Sequence, residues 1–163
     1  MQIKSRNMLS KKDKKILREN LENIYGERIA SFIENNTPLE EIKTSEGIFF
    51  VNEGKIWFFD YEGKKIPSIH YLRINQLHLS KIIVDTGAIR FITNGADVMA
   101  PGIVYFDQNI VKDSVISIHE EKADSLLGIG ISLMDYESFQ KTKQGRVIKT
   151  IHHLKDDIWS FQL

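Results

Sequence analysis

The chain has 163 residues, enough for one large domain or two small ones. It carries 22 basic and 22 acidic side chains, so its formal net charge is zero, and the absence of cysteine excludes disulfides and thiolate zinc sites. No apolar run approaches the roughly 18 residues of a membrane span, and no apolar signal core follows the N-terminus, so we expect a soluble, cytoplasmic protein.

A basic helix is predicted near the N-terminus. The first 18 residues contain seven basic side chains and one acid, Asp13, a local net charge of +6. Ser10 can cap the helix, apolar residues follow at helical spacing, and Gly26 can end it. Lys11, Lys12 and Lys15 stand in its first turns, where the helix dipole favours acids. Such a cluster is either a solvated helix start or a surface that attracts an anionic partner.

The middle of the chain changes to the alternation typical of strands. RIASFIENN predicts a short second helix, and GIFFV and KIWFFDY, separated by NEG, predict two strands joined by a tight turn. The charge and the periodicity change near His78. We therefore expect two domains, an α+β domain over residues 1–78 and a second domain over residues 79–163.

Most of the second domain is predicted to be strand. The strand segments are KIIVD, IVYF, VISI, LLGIGISLM and GRVIKTIHHL. Two short helices are expected at GAIRFITN, with Asp85 or Thr86 as cap, and at DYESFQKTK, capped by Asp135. DDIW begins a last element. Many short strands with two small helices favour a compact β-barrel over a parallel sheet.

The segment VDTGAIRFITNGADVMAPGI is rich in glycine. Gly87 follows a strand, and we expect its missing side chain to let helix and strand pack closely. Gly95 should end the helix with a positive φ, and Pro101-Gly102 fits the centre of a type II turn. These glycines either only shape the turns, or they also leave backbone amides around Gly95 open to a phosphodiester.

This segment, with GIGISLM, QGRVIKTIHHL and DDIW after it, resembles the PUA domain, named for pseudouridine synthases and archaeosine transglycosylases. The resemblance covers roughly Leu79 to Trp159. The upstream half, with its basic helix, aromatic hairpin and KIPSI, resembles the N-terminal domain of stand-alone PUA proteins similar to the malignant T-cell amplified family and to ligatin, which act in translation. The resemblance implies a pseudobarrel that binds RNA without catalysis.

In PUA domains RNA lies against the short helix, the strand after it and the last barrel strand. The residues that this implies here are Gly87, Ala88, Arg90, Asn94, Gly95, Ala96, Asp97, Gly145, Arg146, Lys149 and His152 or His153. Arg90, Arg146 and Lys149 would contact phosphates. For Phe91 and Met99, in the same region, core packing is the favoured interpretation. The resemblance also favours RNA or ribosome contact for Lys11, Lys12 and Lys15.

No enzyme motif competes with this interpretation. GIGIS lacks the third glycine of a dinucleotide fingerprint, and no phosphate-binding loop motif occurs. His152 and His153 are adjacent on a strand and would point to opposite faces, which suits no shared metal, so no metal or cofactor is expected. Asp156-Asp157 is expected to be a turn or cap before Trp159.

The expected function is therefore the binding of structured RNA, either tRNA at its acceptor end or small-subunit rRNA, in translation initiation or recycling. The expected partners are this RNA, with the small ribosomal subunit or a translation factor, and no membrane. Two alternatives stay open. The chain could be the non-catalytic substrate-binding subunit of a tRNA-modifying enzyme, or a protein-interaction scaffold with a degenerate RNA face.

Overall fold

The computed structural model describes residues 1–163, and the chain divides into two compact units. The first unit is Met1–Leu77 together with Phe161–Leu163, and the second is His78–Ser160. None of the helices combines the length and apolar character that crossing a membrane requires. The predicted α+β class, with helices and a sheet followed by a β-pseudobarrel, is confirmed.

The first unit is an antiparallel sheet covered by helices. Its elements are β1 (Ile3–Met8), α1 (Lys11–Tyr25), α2 (Glu27–Ala30), β2 (Glu40–Thr44), β3 (Ile48–Asn52), β4 (Lys55–Tyr61), β5 (Lys64–Pro67) and α3 (Ile69–Ile74). The five strands lie side by side in chain order. The predicted helix α1 is confirmed with its cap, because the Ser10 hydroxyl accepts a hydrogen bond from the Asp13 amide at 3.1 Å.

Buried aromatic side chains stabilise this first unit. The rings of Phe58 on β4 and Tyr71 on α3 lie 4.4 Å apart, and both side chains are fully buried. The Tyr71 hydroxyl donates to the backbone carbonyl of Ile29, so this polar group is satisfied inside the core. Helix α1 also buries two side chains, Leu17 and Leu21.

The second unit is built around a six-stranded mixed sheet. Its elements are β6 (Lys81–Val84), α4 (Ile89–Ile92), β7 (Val98–Met99), β8 (Ile103–Phe106), β9 (Val115–Glu120), β10 (Leu126–Ser132), α5 (Tyr136–Gln140), β11 (Arg146–His153) and α6 (Asp157–Ser160). The spatial order of the strands is β7-β11-β10-β9-β6-β8, and only β6 and β9 pair in parallel. All five strands predicted from Leu79 onward are confirmed, as are both short helices. Asp85 caps the 3₁₀ turn Thr86–Ala88 that leads into α4, and Asp135 caps α5.

Two glycines of β10 let β11 approach closely. A Cβ added to Gly130 would lie 2.3 Å from Cγ2 of Ile148, and one added to Gly128 would lie 2.9 Å from the carbonyl oxygen of His152. Any side chain at these positions would push β11 off the sheet. The spacing of β11 from β10 therefore depends on the glycines of GIGIS, which serve the packing of the sheet and do not form a nucleotide-binding motif.

Two expected glycine roles are wrong. Pro101 and Gly102 lie in a 3₁₀ turn, Ala100–Gly102, and Gly102 lacks the positive φ that a type II turn requires. A Cβ at Gly87 would meet only the Asp85 carboxylate, at 3.2 Å, so its missing side chain leaves room for the capping group and not for strand packing.

Candidate functional site

The candidate site starts at α4, whose end is fixed by its own backbone hydrogen bonds. Gly95 has φ 89°, which confirms the predicted positive φ. Its amide donates to the Ile92 carbonyl and the Ala96 amide donates to the Phe91 carbonyl, both at 2.9 Å, which is the Schellman arrangement. The expectation that these amides are open to a phosphodiester is therefore wrong, because the turn itself uses them.

The segment after this turn is attached to β11. The Asp97 carboxylate accepts from the Thr150 amide at 2.9 Å and from the Arg146 guanidinium at 3.0 Å. The Thr150 hydroxyl also donates to the Ala96 carbonyl at 2.8 Å. Three hydrogen bonds thus hold Ala96 and Asp97 beside the last barrel strand. Asp97, predicted as an RNA contact, has a structural partner in this arrangement.

A cleft of about 620 Å³ lies between α4, β7 and the start of β11. Phe91 and Met99 line it and are 53% and 50% exposed, so the expectation that they pack in the core is wrong. Gly87 and Ala88 line the same cleft from the turn before α4. Two large apolar side chains that line one cleft and are open to water make this cleft the candidate surface for a ligand or partner.

Basic groups stand at the edge of the cleft. Arg146 lines it with a side chain that is 54% exposed, and β-pairing sets Arg146 opposite Met99. Arg90 is exposed on α4, and its guanidinium carbon lies 4.8 Å from the centre of the Phe91 ring. Lys149, three residues further along β11, is partly buried and is not among the residues that line the cleft. The site thus combines an aromatic ring and a thioether with cationic side chains.

The other predicted residues of this region are at the surface. Asn94 is exposed beside Gly95. Gly145 is exposed with φ 90°, and its carbonyl accepts from the Ala100 amide at 2.8 Å, which joins the start of β11 to the segment after β7. The left-handed conformation at Gly145 therefore sets where Arg146 enters the cleft.

His152 is misassigned as an RNA contact. Its side chain is fully buried, and its Nδ1 lies 2.7 Å from Oδ2 of Asp156. Asp156 also accepts from the amides of His153 and Trp159, at 2.9 and 2.8 Å, so it caps α6 as the sequence predicts. Burial raises the pKa of the Asp156 carboxyl, but the hydrogen bonds and charge from His152 and these amides outweigh it, and the pKa is lowered.

The sequence left open whether His152 or His153 contacts RNA, and of the two only His153 reaches the surface. It is partly exposed, and its Nδ1 lies 2.8 Å from the Leu154 carbonyl. Its ring lies under the turn at Gly95. The His, Asp and Glu side chains form no group of three or more placed to hold a metal ion.

The basic helix of the first unit divides into two kinds of side chain. Lys11, Lys12 and Lys15 are exposed. Lys14 is buried, with its ammonium donating to the carbonyls of Asn35 and Thr37, and Arg18 donates to the Ile33 carbonyl at 2.7 Å. Two of the five basic groups of α1 therefore stabilise the fold and are not available to an anionic partner.

Comparisons with known proteins match both units. Residues 80–154 match the model of the PUA domain, and residues 5–75 match a domain of unknown function designated DUF1947. An uncharacterized protein of Methanocaldococcus jannaschii is 33% identical over 99% of each chain. Translation machinery-associated protein 20 of Eremothecium gossypii is 30% identical over 84% of this chain and 80% of its own. In the crystal structure of a hypothetical protein from Pyrococcus horikoshii, 30% identical, the match covers 96% of this chain and 98% of that one with a TM-score of 0.82.

Proposed function

From the premise that this chain belongs to the family of stand-alone PUA-domain proteins, we propose that it is a non-catalytic RNA-binding protein of translation. Its RNA is tRNA or small-subunit rRNA, and its place of action is the cytoplasm. The relative from Eremothecium gossypii carries the name of a translation machinery-associated protein, which supports the assignment to translation.

The cleft between α4, β7 and β11 is the observation that carries this proposal. Phe91 and Met99 present apolar surface to water, and Arg146 and Arg90 place positive charge at its edge. Aromatic surface that stacks a base, flanked by cations that contact phosphate, is the combination with which proteins bind single-stranded nucleic acid.

The size and shape of the cleft favour an unpaired RNA end. A-form duplexes hide most base edges in a deep, narrow groove, so sequence-specific contacts go mainly to unstacked nucleotides. A cleft of about 620 Å³ holds one or two nucleotides and cannot follow a long duplex. We therefore place a base of the tRNA acceptor end, which is single-stranded, against Phe91, with the adjoining phosphate at Arg146.

The exposed lysines of α1 have a different role in this proposal. Lys11, Lys12 and Lys15 add attraction to RNA that does not depend on its sequence, because they contact phosphates only. Catalysis is not part of the proposal, because the chain offers no nucleophile or acid-base pair in a setting typical of an enzyme.

Crosslinking in cells tests this proposal. The protein is crosslinked to RNA with ultraviolet light, and the bound RNA is sequenced alongside the proteins that co-purify. Recovery of tRNA 3′ ends or of small-subunit rRNA, with ribosomal subunits, supports it. A tRNA-modifying enzyme as the main co-purifying protein would move the chain to the substrate-binding subunit of that enzyme. Protein partners without RNA would leave only a scaffold.

A further inference from the structure

We propose that Asp97 is a positioning residue, which holds the Arg146 guanidinium toward the cleft, and that Thr150 holds Asp97 in place. This inference rests on the proposed function, since it concerns how the cleft presents a cation to RNA. Neither residue needs to touch RNA in this role.

The two carboxylate oxygens of Asp97 accept hydrogen bonds from different partners. Oδ1 accepts from the Thr150 amide at 2.9 Å, which fixes the carboxylate to the backbone of β11. Oδ2 accepts from one terminal nitrogen of Arg146 at 3.0 Å. The Thr150 hydroxyl binds the Ala96 carbonyl at 2.8 Å, so the backbone on the N-terminal side of Asp97 is also held.

The remaining guanidinium donors are free to face a ligand. Arg146 has five N–H donors in a planar fork, and its hydrogen bond to Asp97 uses one of them. The Arg146 side chain is 54% exposed, so without an anchor it would sample many rotamers and lose that freedom on binding RNA. Asp97 is 29% exposed and attached to the strand, so it supplies this anchor before RNA arrives.

The rival account is that Asp97 simply masks the charge of Arg146. The two accounts predict opposite coupling. If Asp97 positions Arg146, then Arg146 contributes less to binding once Asp97 is neutralised. If Asp97 masks it, Arg146 contributes more, because its full charge then acts on phosphate.

The test is a double-mutant cycle on the full chain, with the dissociation constant of unmodified tRNA as the readout. The variants are Asp97→Asn, Arg146→Ala and the double variant, each checked by thermal melting. Asparagine keeps an oxygen for the Thr150 amide and loses the charge that binds Arg146. Asp157→Asn, an exposed carboxylate on α6, controls for the loss of one negative charge.

We expect Arg146→Ala to weaken binding about tenfold in the native background and less than about threefold in the Asp97→Asn background. Thr150→Val should weaken binding about threefold, because it breaks the bond to Ala96, and Thr150→Ser should restore it. A merely structural role for Asp97 would lower melting temperature without changing the cost of Arg146→Ala.

Three outcomes overturn the inference, and they differ in what they leave standing. An unchanged cost of Arg146→Ala in both backgrounds removes positioning, and a larger cost in the Asp97→Asn background establishes masking; the RNA-binding proposal survives both. No effect of Arg146→Ala in the native protein removes both the inference and the phosphate contact at this cleft.

Discussion

The imidazole of His153 lies directly against the turn at Gly95, with its Nε2 only 3.0 Å from the place that a Cβ on Gly95 would take. Gly95 also has φ 89°, so two independent features favour glycine there. Gly145 has nearly the same φ, 90°, but nothing within 4 Å of its Cβ position. A substitution at Gly145 therefore tests backbone strain alone, whereas one at Gly95 tests backbone strain together with steric contact.

We predict that Gly145→Ala costs about 1 kcal/mol of unfolding free energy from strain alone, and that Gly95→Ala costs about 1 kcal/mol more. Adding His153→Ala to Gly95→Ala should reduce the cost by the steric part. Urea denaturation of each variant measures this. Equal costs for the two single glycine variants would show that the His153 ring moves aside freely.

The turn at Gly95 shows which features of the site can be predicted from the sequence and which cannot. Asn94-Gly95 after two helical turns predicts a left-handed C-terminus, because few other residues tolerate that φ. The sequence does not show, however, that the turn uses the amides of Gly95 and Ala96 for its own hydrogen bonds, because this depends on the geometry of the helix end. The same limit applies to Phe91 and Met99: an apolar residue on a short helix or strand does not say whether that face is covered.

Charge is equally ambiguous in the sequence, as α1 illustrates. Lys14 and Lys15 are neighbours with the same composition around them, yet the ammonium of Lys14 is bound to the carbonyls of Asn35 and Thr37. Those carbonyls come from a loop about twenty residues away, so no local pattern identifies them. Strand β1 was likewise missed, because IKSRNM is mostly exposed and is stabilised by pairing with β2.

Lys14 and Lys15 therefore provide a matched pair of variants. Lys14→Met should lower the unfolding free energy by about 1–3 kcal/mol, because the two hydrogen bonds that the buried ammonium donates to the carbonyls of Asn35 and Thr37 are lost. Lys15→Met should change the unfolding free energy by less than about 0.5 kcal/mol, since the ion pair of Lys15 with Glu19, at 4.0 Å, is exposed to solvent.

In RNA titrations at several salt concentrations, Lys15→Met should reduce the log-log salt slope by about 0.7–0.9 if it contacts one phosphate. Chemical denaturation and these titrations together check the pair. A Lys14→Met variant as stable as the native protein would contradict the structural role of Lys14. A Lys15→Met variant with the native salt slope would contradict a phosphate contact by Lys15.

The buried histidine of β9 predicts a pH dependence of stability. Burial lowers the pKa of the His119 imidazole, and the Asp124 carbonyl and carboxylate oppose this, while Lys81 and His78 lower it further. Nε2 of His119 is buried without a hydrogen-bond partner, so a proton there would add an unpaired charge. The folded state thus favours the neutral ring.

Because the folded pKa is lowered, the stability from His119 is present at high pH and is lost as the pH falls through the unfolded value of about 6.5. We predict that the native protein loses more unfolding free energy between about pH 7.5 and pH 5.5 than His119→Gln does. Denaturation at the two pH values measures it. Equal losses would show that His119 accepts its proton equally well in both states.

Phe91 tests the apolar side of the cleft. Phe91→Ala should weaken RNA binding about tenfold, because stacking of a base on an aromatic ring is worth about 1–3 kcal/mol. Its melting temperature should change little, since the side chain is 53% exposed. Phe91→Tyr should bind almost as the native protein does. Val111, which is 60% exposed and lies outside the cleft, provides the control variant Val111→Ala. An equal loss of RNA affinity in Val111→Ala would show that Phe91 has no specific role in binding.

The most direct test of the central claim, that this cleft holds an unpaired RNA end, is a competition between intact tRNA and tRNA trimmed of its CCA end at one fixed salt concentration. We predict tighter binding of the intact tRNA, because only it carries the single-stranded CCA end whose bases would stack on Phe91 and whose phosphates would contact Arg146. The preference should shrink in Phe91→Ala and in Arg90→Ala. Equal affinity of the native protein for both tRNAs would contradict the account and would direct attention to rRNA.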